Sequence, residues 1–227
     1  MKLFSRKPSI AASPYRVDDP SSLDFPVSGR RFLANGHQVA WGSERFDLAD
    51  VTEWTMDMSG RSRQGRMSGF DAEFRLEGPE SSLSVPFGNT LTTEEGGAGS
   101  LRDAWALYAT LRDFGYLQVA PRIVPELAEL VRAGGAVTWP ELSVTGEGIE
   151  RDTKKGAETL PWADYADCWQ PKKHLGLPEL SIRYRRSSGP KRTWAMIPAE
   201  LPNVYVLPAL LAELSGTTTP DADPGRA

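Results

Sequence analysis

The chain has 227 residues, 40% hydrophobic and 25% charged, enough to bury one large core or two small ones. Its net charge of −4 and isoelectric point near 5.4 argue against bulk nucleic-acid binding, which usually needs a basic face, and leave room only for a local basic patch. A single cysteine, Cys168, excludes an internal disulfide and fits a reducing cytosol; no run approaches the roughly 18 apolar residues of a membrane span.

Residues 1–22 carry Pro8, Pro14 and Pro20 with little periodicity, and read as a disordered arm lacking the apolar core of a signal peptide. Short strand-like runs follow from Phe25. Asn35-Gly36 predicts a two-residue hairpin turn, because both positions tolerate positive φ. Gly42-Ser43 is a second turn, and residues 51–56 alternate like a half-buried strand. Residues 59–68 are polar and Gly-rich and read as a loop. Phe70, Ala72, Phe74 and Leu76 then share one face of a strand, and Leu83, Val85 and Phe87 supply another. After a loop at 92–99, Ser100 is predicted to cap a helix carrying Leu101, Trp105, Tyr108 and Leu111, with Gly115 as its stop.

A second helix is predicted at about 122–133, with Ile123, Leu127, Leu130 and Val131 as its apolar stripe and Gly134-Gly135 ending it. Strand patterns restart at 136–144 and continue through 149–151 and 158–162. Further runs at 165–170, 180–184 and 192–197 follow, and Asn203 is predicted to cap a last helix carrying Leu207, Leu210, Leu211 and Leu214. The tail from 216 is polar and reads as disordered.

Laid over itself at a shift of about 110–114 residues, the chain aligns Phe46 with Leu160, Leu48 with Trp162, Asp50 with Asp164 and Val85-Pro86 with Ile197-Pro198. The order of elements carries this repeat more than the letters do. It predicts an α+β, mainly β chain of two tandem units, 23–118 and 119–215. Each is a bent antiparallel sheet or split barrel closed by its C-terminal helix. Leu48 and Trp162 would fill the corner where each sheet turns, and Trp162→Ala would cost roughly 3–5 kcal/mol if that corner is core.

The segment from Val124 to Leu214, about two-fifths of the chain, resembles the pleckstrin-homology-like domains of uncharacterised bacterial, largely actinobacterial, proteins. The likeness lies in Ala133-Gly134-Gly135-Ala136, in "LSVTGEGIE" and "LPWADY", in the Ile182-Arg183-Tyr184-Arg185-Arg186 run, and in "MIPAELPNVYVLPALLAEL". The first half lacks the Pro-Trp and Pro-Asn pairs and joins by element order. The resemblance implies a β-sandwich or split barrel capped by a helix, and no enzymatic activity.

The residues agree with a non-enzyme that needs no cofactor. His37 and His174 have no partners at metal-ligand spacing, and G-x-S-x-G, H-E-x-x-H and C-x-x-C do not occur. Cys168, beside Trp169 in a predicted strand, reads as a buried inert thiol rather than a nucleophile. Gly96-Gly97-Ala98-Gly99-Ser100 before a helix lacks the Lys-Ser/Thr ending of a phosphate loop, and Glu94 and Glu95 would repel an anion. What remains is basic. Arg61, Arg63 and Arg66 fall in one predicted loop, Lys172 and Lys173 in the corresponding loop of the second unit, and Lys154 and Lys155 in an earlier turn. Arg183, Arg185, Arg186, Lys191 and Arg192 flank one hairpin. These clusters are either solvated surface charge or rims that hold an anion or a partner. The sequence therefore points to a cytoplasmic interaction protein whose partner is another protein. The alternative is a peripheral module that binds anionic lipid headgroups.

Overall fold

A computed structural model describes residues 15, 17, 19–63, 66–89, 100–169, 179–185, 189–198 and 201–216; of 61–63, 66, 67 and 169 it describes the backbone alone. The chain is α+β and mainly β, with four antiparallel sheets among the described residues. The first sheet is a meander of β1 (Leu23–Val27), β2 (Arg30–Ala34), β3 (Gln38–Trp41) and β4 (Glu44–Asp47). A 3-10 turn at Leu48–Asp50 leads to a second meander, β5 (Glu53–Arg63), β6 (Arg66–Glu77) and β7 (Ser82–Gly88), and then to α1 (Leu101–Phe114). The second half repeats the order. β8 (Val137–Trp139), β9 (Leu142–Val144), β10 (Gly148–Thr153) and β11 (Gly156–Pro161) form a four-stranded meander. β12 (Tyr165–Trp169), β13 (Glu179–Tyr184) and β14 (Arg192–Pro198) form a three-stranded one, and α3 (Leu207–Ser215) packs on β12.

Local chemistry accounts for these elements. In β6, Phe70, Ala72, Phe74 and Leu76 are all buried, as the period of two requires. Ser100 caps α1, its Oγ accepting from the Asp103 N–H at 3.1 Å. The Asn35 turn is wider than a two-residue hairpin. Asn35 Oδ1 accepts from the N–H of His37 at 2.8 Å and of Gln38 at 3.0 Å, so the side chain builds an Asx turn and Gly36 needs no positive φ. Residues 59–63 and 66–68 are strand, not loop. The β5–β6 pairing runs out to Arg63 opposite Arg66, because a long two-stranded ribbon satisfies its own backbone polar groups. The predicted strand at 136–144 is two strands turning at Pro140-Glu141.

Gly115 does not stop a helix. It is helical itself, and α1 continues through a π-helical turn at Gly115–Val119 into α2 (Ala120–Arg132). Two physical demands meet there. A Cβ at Gly115 would lie 1.9 Å from Trp54 Cζ2, so only glycine lets the indole pack against the helix backbone. Pro121 lacks an N–H and crowds the carbonyl four residues back, which the wider turn relieves. The predicted boundary at 118/119 thus falls inside one continuous helix. The buried stripe of α2 is Ile123, Val124, Ala128 and Val131, while Leu130 is 47% exposed.

The two halves share one hydrophobic core, and Trp54, fully buried, is central to their joint. Its ring lies 5.6 Å from Tyr116 on the π turn and 5.4 Å from Tyr205 beside α3, and the Tyr205 hydroxyl bonds that of Tyr108 on α1. Asn203 sits in the left-handed region (φ 54°) and caps no helix with its side chain. Its N–H donates to Trp54 O at 3.0 Å, its Oδ1 accepts from the Trp54 N–H at 2.8 Å, and its Nδ2 donates to Thr52 O at 3.2 Å. It thereby mimics one residue of a strand beside β5. Of the N-terminal arm, Tyr15 and Val17 pack against the core, with Tyr15 edge-on to Phe25 at 5.6 Å.

Candidate functional site

Each half leaves a seam between the last strand of its four-stranded sheet and the last strand of its three-stranded sheet. In the first half the seam is closed. β4 lies against β7, and Trp41, Phe46 and Leu83 are buried. In the second half the corresponding strands, β11 and β14, flank a groove of about 430 Å3.

Register explains the difference. Val39 pairs with Phe46 and Trp41 with Glu44 across β3–β4; Ile149 pairs with Leu160 and Arg151 with Glu158 across β10–β11. Arg151 therefore stands where the first half has Trp41. Its Nη2 and Nε donate to Glu158 Oε2 at 2.7 and 3.1 Å, and its Nη1 donates to the carbonyl of Trp194. The guanidinium carbon lies 4.5 Å from the centre of the Trp194 ring. Trp194 is the extra residue of a bulge, since Ile182 pairs with Ala195 and Arg183 with Thr193, so its carbonyl is free to meet the arginine. Tyr184 and Asp164 complete the walls. Asp164 belongs to the turn after Pro161-Trp162; its N–H donates to Pro161 O and its carbonyl accepts from the Arg185 N–H, both at 2.9 Å. Its carboxylate has no partner among the described residues.

Trp162 lies at the rim of this region. It is only partly buried, its Nε1 donates to Gly146 O at 3.0 Å, and its ring meets Tyr165 edge-on at 6.0 Å. Leu48, its counterpart, is fully buried. The corner is a core position in the first half and a half-exposed strut in the second.

The predicted basic residues separate into three groups. Lys154 and Lys155 are exposed at the tip of the β10–β11 hairpin, one of the groove's walls, and Arg185 is exposed at the end of β13. Arg61, Arg63 and Arg66 lie on the paired ends of β5 and β6 rather than in a loop, and their side chains fall outside the described residues, as do Lys172, Lys173, Arg186 and His174. The hairpin charge is smaller than the sequence suggests. Asp167, buried, accepts from Arg183 Nη2 at 2.8 Å and from Lys191 Nζ at 2.5 Å. Burial alone would raise the Asp167 carboxyl, but the hydrogen bonds from Arg183 and Lys191 outweigh it and hold the group below the usual carboxylate range. No periodic pattern marks Asp167 as their partner.

No protein-family model matches the chain, and no curated protein is significantly similar to it.

Burial pushes the Cys168 thiol far above its ordinary range, and the neighbouring Asp167 charge adds to this, so the thiol stays protonated. Among the described residues no three His, Cys, Asp or Glu side chains are grouped to hold a metal ion, and no helix is long and apolar enough to cross a membrane. A second hollow, of about 520 Å3, lies between α2 and α3, walled by Ala120, Val124, Ala209 and Ala212 beside the Arg132–Glu213 ion pair.

Proposed function

We propose that the chain is a non-enzymatic interaction protein of the bacterial cytoplasm, built from two pleckstrin-homology-like units, 23–118 and 119–215, and that its ligand is another protein. The observation that carries this reading is the doubled element order: four-stranded meander, three-stranded meander, closing helix, in each half. Sheets of this kind end in strand edges that a partner can extend, and the closing helices offer a second docking face. The test is affinity purification of the tagged full chain from its native cell. One or more proteins recovered in stoichiometric amount, and lost on mutation of an exposed strand edge, are expected; recovery of none overturns the reading.

The exposed pair Lys154 and Lys155 favours a second reading, attachment to anionic lipid headgroups. Arg183 and Lys191, engaged by Asp167, are subtracted from that surface. Flotation with vesicles of neutral and of anionic lipid separates the two. Salt-sensitive flotation that disappears on charge reversal at Lys154 and Lys155, or at Lys172 and Lys173, supports lipid binding, and its absence removes it.

A further inference from the structure

We infer that the seam groove of the second half takes an extended segment of a partner protein bearing a single lysine or arginine, and that the segment adds to the outer edge of β11. The inference rests on the interaction-protein reading above and names where the partner sits.

The duplication supplies the first argument. In the first half β4 lies against β7, and Trp41, Phe46 and Leu83 on these strands and their neighbour are buried. The second half sets Arg151 and Glu158 against each other at the equivalent register, so the groove stays open and polar. Charge at a position where the same fold takes buried tryptophan is a local cost, of the kind proteins retain at functional sites.

Backbone geometry supplies the second. β11 and β14 are each the last strand of their sheet, and they face the groove from opposite sides. The outer N–H and C=O groups of such an edge are a template for one more strand. Glu158 to Pro161 line the groove, a length of about 13 Å at strand rise.

Charge supplies the third and fixes the occupant. Arg151 is already held by Glu158 and by the Trp194 carbonyl. Glu158 is 45% exposed on its side chain, and the Asp164 carboxylate has no partner among the described residues. Counting Arg151 as +1 and Glu158 and Asp164 as −1 each, the lining sums to −1, which admits a cation and rejects an anion. Lys154 and Lys155 stand at the hairpin tip beyond the groove and repel a polybasic stretch, so one basic side chain between neutral neighbours fits best.

The test is a titration of the isotope-labelled full chain, followed by amide NMR. The probe is an acetylated hexapeptide of valine and threonine with one central lysine, compared with its glutamate analogue. The lysine peptide is expected to shift the amides of Glu158 to Leu160 and of Thr193 and Trp194, and to bind at least tenfold more tightly than the glutamate peptide. Asp164→Asn, which keeps the backbone bonds of its turn, is expected to weaken the lysine peptide about tenfold and to strengthen the glutamate peptide, so that the gap between the two narrows. Equal binding of the two peptides, shifts elsewhere, no shift at millimolar peptide, or an unaffected Asp164→Asn variant overturns the inference. A native partner still held by Asp164→Asn removes the groove and leaves the adaptor reading standing; failure to recover any partner removes the adaptor reading itself.

Discussion

The two seams are one structural position solved in two ways. In the first half Trp41 is buried, its Nε1 donating to Val27 O at 3.2 Å, and Arg30 covers it at 4.3 Å while pairing with Glu44 at 3.2 Å. In the second half an arginine, a tryptophan and a glutamate recur as Arg151, Trp194 and Glu158, but the arginine has moved inward and the tryptophan has moved to the opposite sheet. In the first half the arginine and glutamate form an exposed pair over a buried tryptophan; in the second they line the groove together with the tryptophan. Which of them occupies the inward register position decides between a core and a cleft.

Exchanging the inward residues is the most severe test of that comparison. Trp41→Arg removes a buried indole and places a charge at a buried position of β3, and is expected to cost about 3–5 kcal/mol or more in urea unfolding. The corner residues come next. Leu48→Ala is expected to cost about 2–5 kcal/mol, whereas Trp162→Ala, partly exposed and held by one hydrogen bond, should cost about 1–2 kcal/mol. Equal losses at the two sites would restore the symmetric corner that the sequence predicts.

Asp167 marks a further difference between the halves. Because its folded carboxyl lies below the unfolded range, its pairing with Arg183 and Lys191 stabilises the protein above about pH 4 and is lost as pH falls through the depressed value. Asp167→Asn should cost about 1–3 kcal/mol at neutral pH, and its stability should converge on that of the parent in acid. Parallel pH–stability curves would break this account. The smallest effect belongs to the groove itself. Arg151→Met keeps the stem, loses an ion pair that is part exposed, and should move the unfolding free energy by no more than about 1 kcal/mol. A larger loss would make Arg151 a structural staple of the second seam.

The strands and the repeat were legible because alternation in 70–76 and the turn residues between strands act locally. The Asp167 cluster was not, because its three members meet only when β12, β13 and β14 pair. Gly115 does not end its helix, and Asn203 stands at the start of the last helical segment without capping it through its side chain, for one reason. Each is a residue type that ends or caps helices in isolation, and each is fixed instead by Trp54, distant in sequence from Asn203 and from the helix. Pro161-Trp162 drew attention as a corner, yet the groove beside it depends on Arg151 and Trp194, which no short motif joins.

The helix from Leu101 to Arg132 has a mechanical consequence. It is one continuous shaft of α1, π-helical turn and α2, keyed to both halves by Trp54, Tyr116 and Tyr205. A flexible tether between two binding modules offers them a range of spacings and an effective concentration. This shaft offers one spacing and one angle. On the interaction-protein reading proposed above, anything gripped by the second half would be presented to the first at a set bearing, as by a jig rather than a leash.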